Sequence, residues 1–159
     1  MSSPITGTDG IRDLQSEDGS AGGPPDFSHF GDNIESSTFE QILEMDDDEE
    51  EREFSRSIVY DFFSQAENTF TNMDESLAKG DLASLSALGH FLKGSSATLG
   101  LAKVRDSCEK IQHYGAGKNE DGSKEEPEET CLANCKRLIA QAKEEFEVAE
   151  GLLRKFYED

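Results

Sequence analysis

The stretch Leu82-Ala83-Ser84-Leu85-Ser86-Ala87-Leu88-Gly89-His90-Phe91-Leu92-Lys93-Gly94-Ser95-Ser96-Ala97-Thr98-Leu99 decides the fold. Wound at about 100° per residue, Leu82, Leu85, Leu88, Leu92 and Leu99 form one stripe, which predicts an amphipathic helix with that face turned to a core. Asp81 is a good N-cap before it, and Gly100 a good stop after it. His90 falls roughly 170° from the centre of the stripe. Its own side carries Ala83, Ser86, Ala87, Gly94 and Ala97, all small, together with Lys93. The imidazole would stand above a low floor, open to a large partner. A glycine inside a helix costs about 1 kcal/mol relative to alanine, so Gly94 needs a reason, and close approach of another protein surface is one. Lys93 shares the histidine's side, where its ammonium could offset the charge of a phosphoryl group.

The rest of the chain repeats the helical period. Phe54, Ile58, Phe62, Ala66, Phe70, Met73 and Leu77 recur every three or four residues, with Val59 and Phe63 widening the stripe. Lys79-Gly80 ends that long helix. After Gly100, Leu101, Val104, Cys108 and Ile111 mark another helix, ending near Gly115. Residues 115–129 are polar and charged, and Pro127 marks the start of a last helix carrying Cys135, Ile139, Ala142, Phe146, Ala149, Leu153 and Phe156. Upstream, Thr38 to Met45 reads as a short helix with Phe39, Ile42, Leu43 and Met45 apolar. Asp46 to Glu51 reads as a solvated acidic linker or first turn. The prediction is an all-α protein: an antiparallel four-helix bundle with an additional short N-terminal helix. Residues 36–159 form that domain, and residues 1–35, rich in Gly, Ser, Pro and Asp, form a disordered tail in which His29 is incidental.

Composition narrows the function. The 159 residues include 35 acidic and 15 basic side chains, a net charge of -20, which opposes binding to nucleic acid or to anionic membranes. No stretch approaches the roughly 20 apolar residues of a membrane span, and the N-terminus lacks a basic-then-apolar signal, so an intracellular protein is expected. Cys108, Cys131 and Cys135 cannot all pair, and Cys108 and Cys135, on apolar helix faces, read as small buried hydrophobes. No phosphate-cradling Gly-rich motif is present, which argues against a nucleotide-binding kinase domain, and no alternating strand pattern suits a receiver. Consecutive carboxylates project all round a helix, and Glu109 with His113 stands alone, so no metal site is expected. His113, near a helix end, is expected to meet the last carbonyls.

The run His90-Phe91-Leu92-Lys93-Gly94-Ser95-Ser96-Ala97, followed by Leu99-Gly100-Leu101, resembles the signature of the histidine-containing phosphotransfer (HPt) family. Within it, the chain is most similar to the single-domain fungal phosphorelay intermediates of osmotic-stress signalling. The likeness spans residues 38 to 159 and takes in Cys108-Glu109-Lys110-Ile111-Gln112. The resemblance implies that His90 is phosphorylated, at Nε2, that Lys93 stabilises the phosphoryl group, and that Gln112 orients the imidazole. It implies that Gly94 leaves room for a receiver domain, with Phe91, Ser95, Ile42, Met45, Phe54 and Ile58 in the docking surface; for the apolar ones core packing is the alternative.

An imidazole ordinarily titrates near 6.5, so histidine offers a nucleophilic free base near neutral pH. Phosphoryl transfer needs in-line geometry and charge neutralisation, more than one His and one Lys supply. The expectation is therefore a monomeric phosphocarrier rather than an autonomous enzyme. It has no intrinsic cofactor, and Mg²⁺ arrives with the partner receiver. The resemblance implies that phosphoryl passes from a receiver aspartate of a hybrid histidine kinase, through His90, to a response-regulator aspartate, in cytoplasm and nucleus. The alternative is an acidic helical adaptor without covalent chemistry.

Overall fold

The structure is a computed structural model that describes residues 27–158. Five helices follow one another: α1 (Ser36–Leu43), α2 (Glu53–Lys79), α3 (Leu82–Leu99), α4 (Ala102–Gly115) and α5 (Glu128–Glu158). Among the described residues no β-strand forms; a single antiparallel bridge joins Lys118 and Glu125. Helices α2 to α5 make the four-helix bundle, with α3–α4 the most extensive contact and α2–α5 closing the ring, while α1 lies against α3 and α2. The expected fold class is borne out.

Local chemistry sets the boundaries. Asp81 caps α3, its carboxylate accepting from the Ser84 amide at 3.1 Å and the Ser84 hydroxyl at 2.7 Å. Gly80 (φ 68°) and Gly100 (φ 82°) close α2 and α3 in the left-handed conformation. At α2 the residue in the N-cap position, Arg52, is itself left-handed and contributes no side-chain cap. Asp46 does that work from nine residues upstream, accepting from the Ser55 amide at 2.7 Å and the Ser55 hydroxyl at 2.6 Å. The acidic stretch is therefore more than a solvated linker.

The core draws on every helix: Phe39 from α1, Val59, Phe62, Phe63 and Phe70 from α2, Leu85, Leu92 and Leu99 from α3, Val104 and Ile111 from α4, Ile139, Phe146 and Leu153 from α5. Cys108 and Cys135 are buried free thiols, as the sequence predicts, and Cys131 is buried too; burial pushes Cys108 and Cys135 up to about 12. The buried face of α3 is turned from the leucine stripe. Gly89 and Ser96 are inside, whereas Leu82 and Leu88 are half-buried at the edges.

Two expectations are corrected. The tail was expected to extend to residue 35, but Phe30 and Ile34 are buried, and Phe27 stacks on Phe156 with centroids 5.9 Å apart. Phe39 meets Phe156 edge-on at 5.4 Å, so residues 27–35 form a strap sealing one end of the bundle with aromatic rings. The strap is bolted to the α3–α4 corner, where the Glu35 amide donates to the Gly100 carbonyl at 2.7 Å and Arg105 pairs with Glu35 at 3.3 Å. The remainder of the expected tail, residues 1–26, lies outside the described residues. Secondly, His113 stays in the last turn of α4, but its ring reaches the following loop: its Nδ1 donates to the Glu120 carbonyl at 2.8 Å, and the ring packs against Gly122 before α5. A carbonyl only accepts, so this ring carries its proton on Nδ1.

Candidate phosphoacceptor site

The site is built on the outward face of α3. Ala83, Ala87, His90 and Gly94 are all exposed at spacings of three and four, so the histidine stands on a low floor, from which Ser86, expected in it, is missing because it is half-buried against α4. Gly94 decides the reading of this floor. A Cβ added there would meet nothing within 4 Å, so no internal packing needs the glycine. Its helix-propensity cost of about 1 kcal/mol leaves only the space above the helix as a benefit. Lys93 is half-buried beside it and makes no ion pair with any described residue. Phe91 is 49% exposed, and Ser95 is partly exposed.

Among the described residues four large apolar side chains are exposed: Met45, Phe54, Phe91 and Val148. Three of them lie on or beside the elements that precede or carry His90, Met45 just after α1 and Phe54 in the first turn of α2. Phe54 borders a hollow lined by Asp47, Asp48, Glu51 and Glu53. Ile58 is half-buried against the core. Ile42 departs from the expected docking role. It is only 6% exposed, because it sits three residues from Phe39 on the inward face of α1.

On the opposite flank α4 brings Gln112 to α3. Its side-chain Oε1 is buried and without a hydrogen-bond partner. The approach is permitted by Gly89, where an added Cβ would lie 2.9 Å from both the Gln112 nitrogen and the Cys108 carbonyl oxygen. The Ser86 hydroxyl donates to the Gln112 carbonyl at 2.9 Å. Gly89 and Ser86 were not singled out as partners of α4 from the sequence. The available signal was the placement of small residues one turn apart on the flank of a leucine stripe.

With an exposed histidine, a neighbouring lysine and an open glycine on one helix of a bundle, comparison with known proteins is specific. The Hpt domain profile matches residues 57–146, from α2 into α5, a span that contains His90, Lys93, Gly94 and Gln112. The chain belongs to the Hpt domain family. Among Hpt relatives, multistep phosphorelay regulator 1 of Schizosaccharomyces pombe is 47% identical over 126 residues, covering 79% of this chain and 42% of that protein. The phosphorelay intermediate protein YPD1 of Candida albicans is 49% identical over 82 residues, 52% of this chain and 44% of that protein. The chain thus spans less than half the length of these curated relatives. A solved Hpt structure with a similar fold is the Saccharomyces cerevisiae histidine phosphotransfer signaling protein Ypd1, crystallised with the receiver domain of its downstream response regulator Ssk1. It shows a TM-score of 0.69 and 31% identity over 79% of this chain and 95% of that one. The Hpt match begins at residue 57, beyond the strap and α1, which pack onto the family core from outside it.

Proposed function

We propose that this chain is a phosphohistidine carrier in a multistep phosphorelay, taking phosphoryl from one receiver aspartate onto His90 and delivering it to another. The observation that carries the reading is the exposed His90 beside Gly94, whose Cβ position is open, in a chain of the Hpt family. In the transfer, a lone pair on His90 Nε2 attacks the phosphorus of the receiver's aspartyl phosphate. The N–P bond forms as the acyl P–O bond breaks, and the aspartate carboxylate departs with the electron pair. Delivery reverses the step on a second receiver. Lys93 offsets the phosphoryl charge, and the Mg²⁺ that neutralises the rest comes with the receiver. Phe91, Met45, Phe54 and the exposed edge of Ile58 form the apolar docking surface, with Ser95 at its border.

The carrier reading excludes autonomous kinase activity, since one His and one Lys do not replace the metal and acceptor that the receiver brings. The fungal resemblance supports a place in osmotic-stress signalling, with the chain acting in cytoplasm and nucleus, which imaging of a tagged chain before and after osmotic shock would check. The biochemical test is a two-step relay. Label from a phosphorylated receiver should appear on this chain and then on a second receiver, and His90→Gln should abolish both steps. Transfer that survives in His90→Gln would refute the assignment.

A further inference from the structure

We infer that Arg52 is a positioning residue for receiver docking, holding Met45 and Phe54 in one exposed patch through its clamp on Phe156. The inference rests on the docking surface proposed above. Arg52 is the only non-glycine residue with positive φ among the described residues, at φ 52° and ψ 39°. Outside glycine this conformation crowds Cβ against the following carbonyl, so the surrounding structure has to impose it. Three contacts do so. The Arg52 amide donates to the Asp48 carbonyl at 2.8 Å, and its Nε donates to the Glu49 carbonyl at 2.7 Å. The guanidinium carbon lies 4.6 Å from the centre of the Phe156 ring.

The choice of partners is informative. Acidic residues flank Arg52 from Asp46 to Glu51 and at Glu53, yet its guanidinium goes to a carbonyl and an aromatic face. Geometry explains this choice better than charge neutralisation. Phe156 is itself fixed by Phe27, Phe30, Phe39 and Tyr157, with ring centroids 5.0 to 6.3 Å away. Across the turn, the Asp46 carboxylate accepts from the Ser55 amide and hydroxyl at 2.7 and 2.6 Å. Asp46 directly follows Met45 and Ser55 directly follows Phe54, so this latch brings the backbones of two exposed apolar residues together. Arg52 then fixes the turn between them, two residues before Phe54. An apolar patch fixed in advance binds without the cost of ordering it. Arg52, Phe54 and Phe156 all lie outside residues 57–146, the span that the Hpt profile matches, so the clamp is built on the flanks of the family core.

The experiment compares the full wild-type chain with Arg52→Gly, Arg52→Lys, Phe156→Leu and the double variant of Arg52→Gly with Phe156→Leu. Each is titrated calorimetrically with an isolated, unphosphorylated receiver domain, then assayed for transfer from that receiver charged with acetyl phosphate. Glycine adopts the left-handed backbone freely, so Arg52→Gly removes the clamp without straining the turn, and its urea midpoint should stay near wild type. Receiver binding should weaken about fivefold to tenfold, and the half-saturating receiver concentration for transfer should rise by the same factor. The rate at saturating receiver, and labelling of His90 by phosphoramidate, should stay within about twofold of wild type. Lysine keeps the charge but lacks the planar face and the Nε donor, so Arg52→Lys should resemble Arg52→Gly. The double variant should bind no more weakly than the weaker single variant, since both residues act through one contact.

Wild-type affinity in Arg52→Gly or in Arg52→Lys, losses that multiply in the double variant, or a fall in phosphoramidate labelling would each overturn the proposal. The binding titration needs no phosphoryl group, so it separates the two failures. A wild-type chain that binds the receiver but accepts no phosphoryl refutes the carrier reading, while weaker binding by Arg52→Gly still upholds the clamp. Normal wild-type transfer with unchanged binding by Arg52→Gly refutes only the role of Arg52. A wild-type chain that binds no receiver refutes both.

Discussion

Gly89 and Gly94 sit five residues apart on α3 and face opposite environments. Each sacrifices helix propensity, about 1 kcal/mol relative to alanine. At Gly89 the space is taken by the α4 backbone, with Gln112 N and Cys108 O both 2.9 Å from an added Cβ; at Gly94 that position is empty to 4 Å. One glycine draws a neighbouring helix in, and the other keeps the surface clear for something that is not part of the chain. His90 lies between them, with the interior device on one side and the exterior one on the other. The comparison teaches that a helical glycine has to be read with its surroundings, since the same residue type serves packing at one position and access at the next turn.

The largest effect expected from breaking this contrast is functional. Gly94→Gln should leave the fold intact and cut transfer from a receiver at least about tenfold by crowding the docking face, while direct phosphorylation of His90 by phosphoramidate, a small donor, is retained. Equal transfer by Gly94→Gln and wild type would show that the open floor is not an approach surface. The second test concerns the interior. The buried Cys108 thiol is pushed up to about 12, above its ordinary value of 9.0, so the folded state keeps a proton that the unfolded state gives up. This contribution is complete below pH about 9 and is lost as pH rises toward about 12, at up to about 1.4 kcal/mol per pH unit. Urea titrations at increasing pH should show that decline, and Cys108→Ala should make it shallower while leaving the share due to the similarly buried Cys135.

The two glycines themselves predict opposite signs. Gly89→Ala should destabilise by about 1–3 kcal/mol, because its methyl meets backbone that can move only if α4 moves. Gly94→Ala should stabilise by up to about 1 kcal/mol. Urea midpoints of the pair check both, and equal effects would erase the distinction. The smallest stability change expected is for Lys93→Ala, less than about 0.5 kcal/mol, although phosphoryl acceptance should slow about tenfold. Unchanged acceptance and unchanged phosphohistidine lifetime would remove Lys93 from the site.

Much of this arrangement is legible in the sequence for identifiable reasons. The caps at Asp81, Gly80 and Gly100 and the three-and-four spacing of α2 and α5 are local signals, so the helix boundaries follow from them. The exposure of His90 and Gly94 follows from their angle to the leucines. Other features depend on contacts that no local pattern encodes. Gly89 and Ser96 enter the core because α4 packs close, and a hydrophobic pattern gives small residues no weight. Asp46 caps α2 across nine residues. Phe27, Phe30 and Ile34 are too few and too irregular to signal order, yet they find Phe39 and Phe156 at the far end of the chain. Ile42 reads equally well as surface or core until the position of Phe39 fixes the rotation of α1.

The central claim is that His90 carries the phosphoryl group, and mapping the modified residue tests it most directly. After incubation with a phosphorylated receiver and Mg²⁺, the chain should hold acid-labile, base-stable phosphate, located by mass spectrometry on the peptide containing His90. Phosphate on another residue, or none across several receivers, would contradict the account.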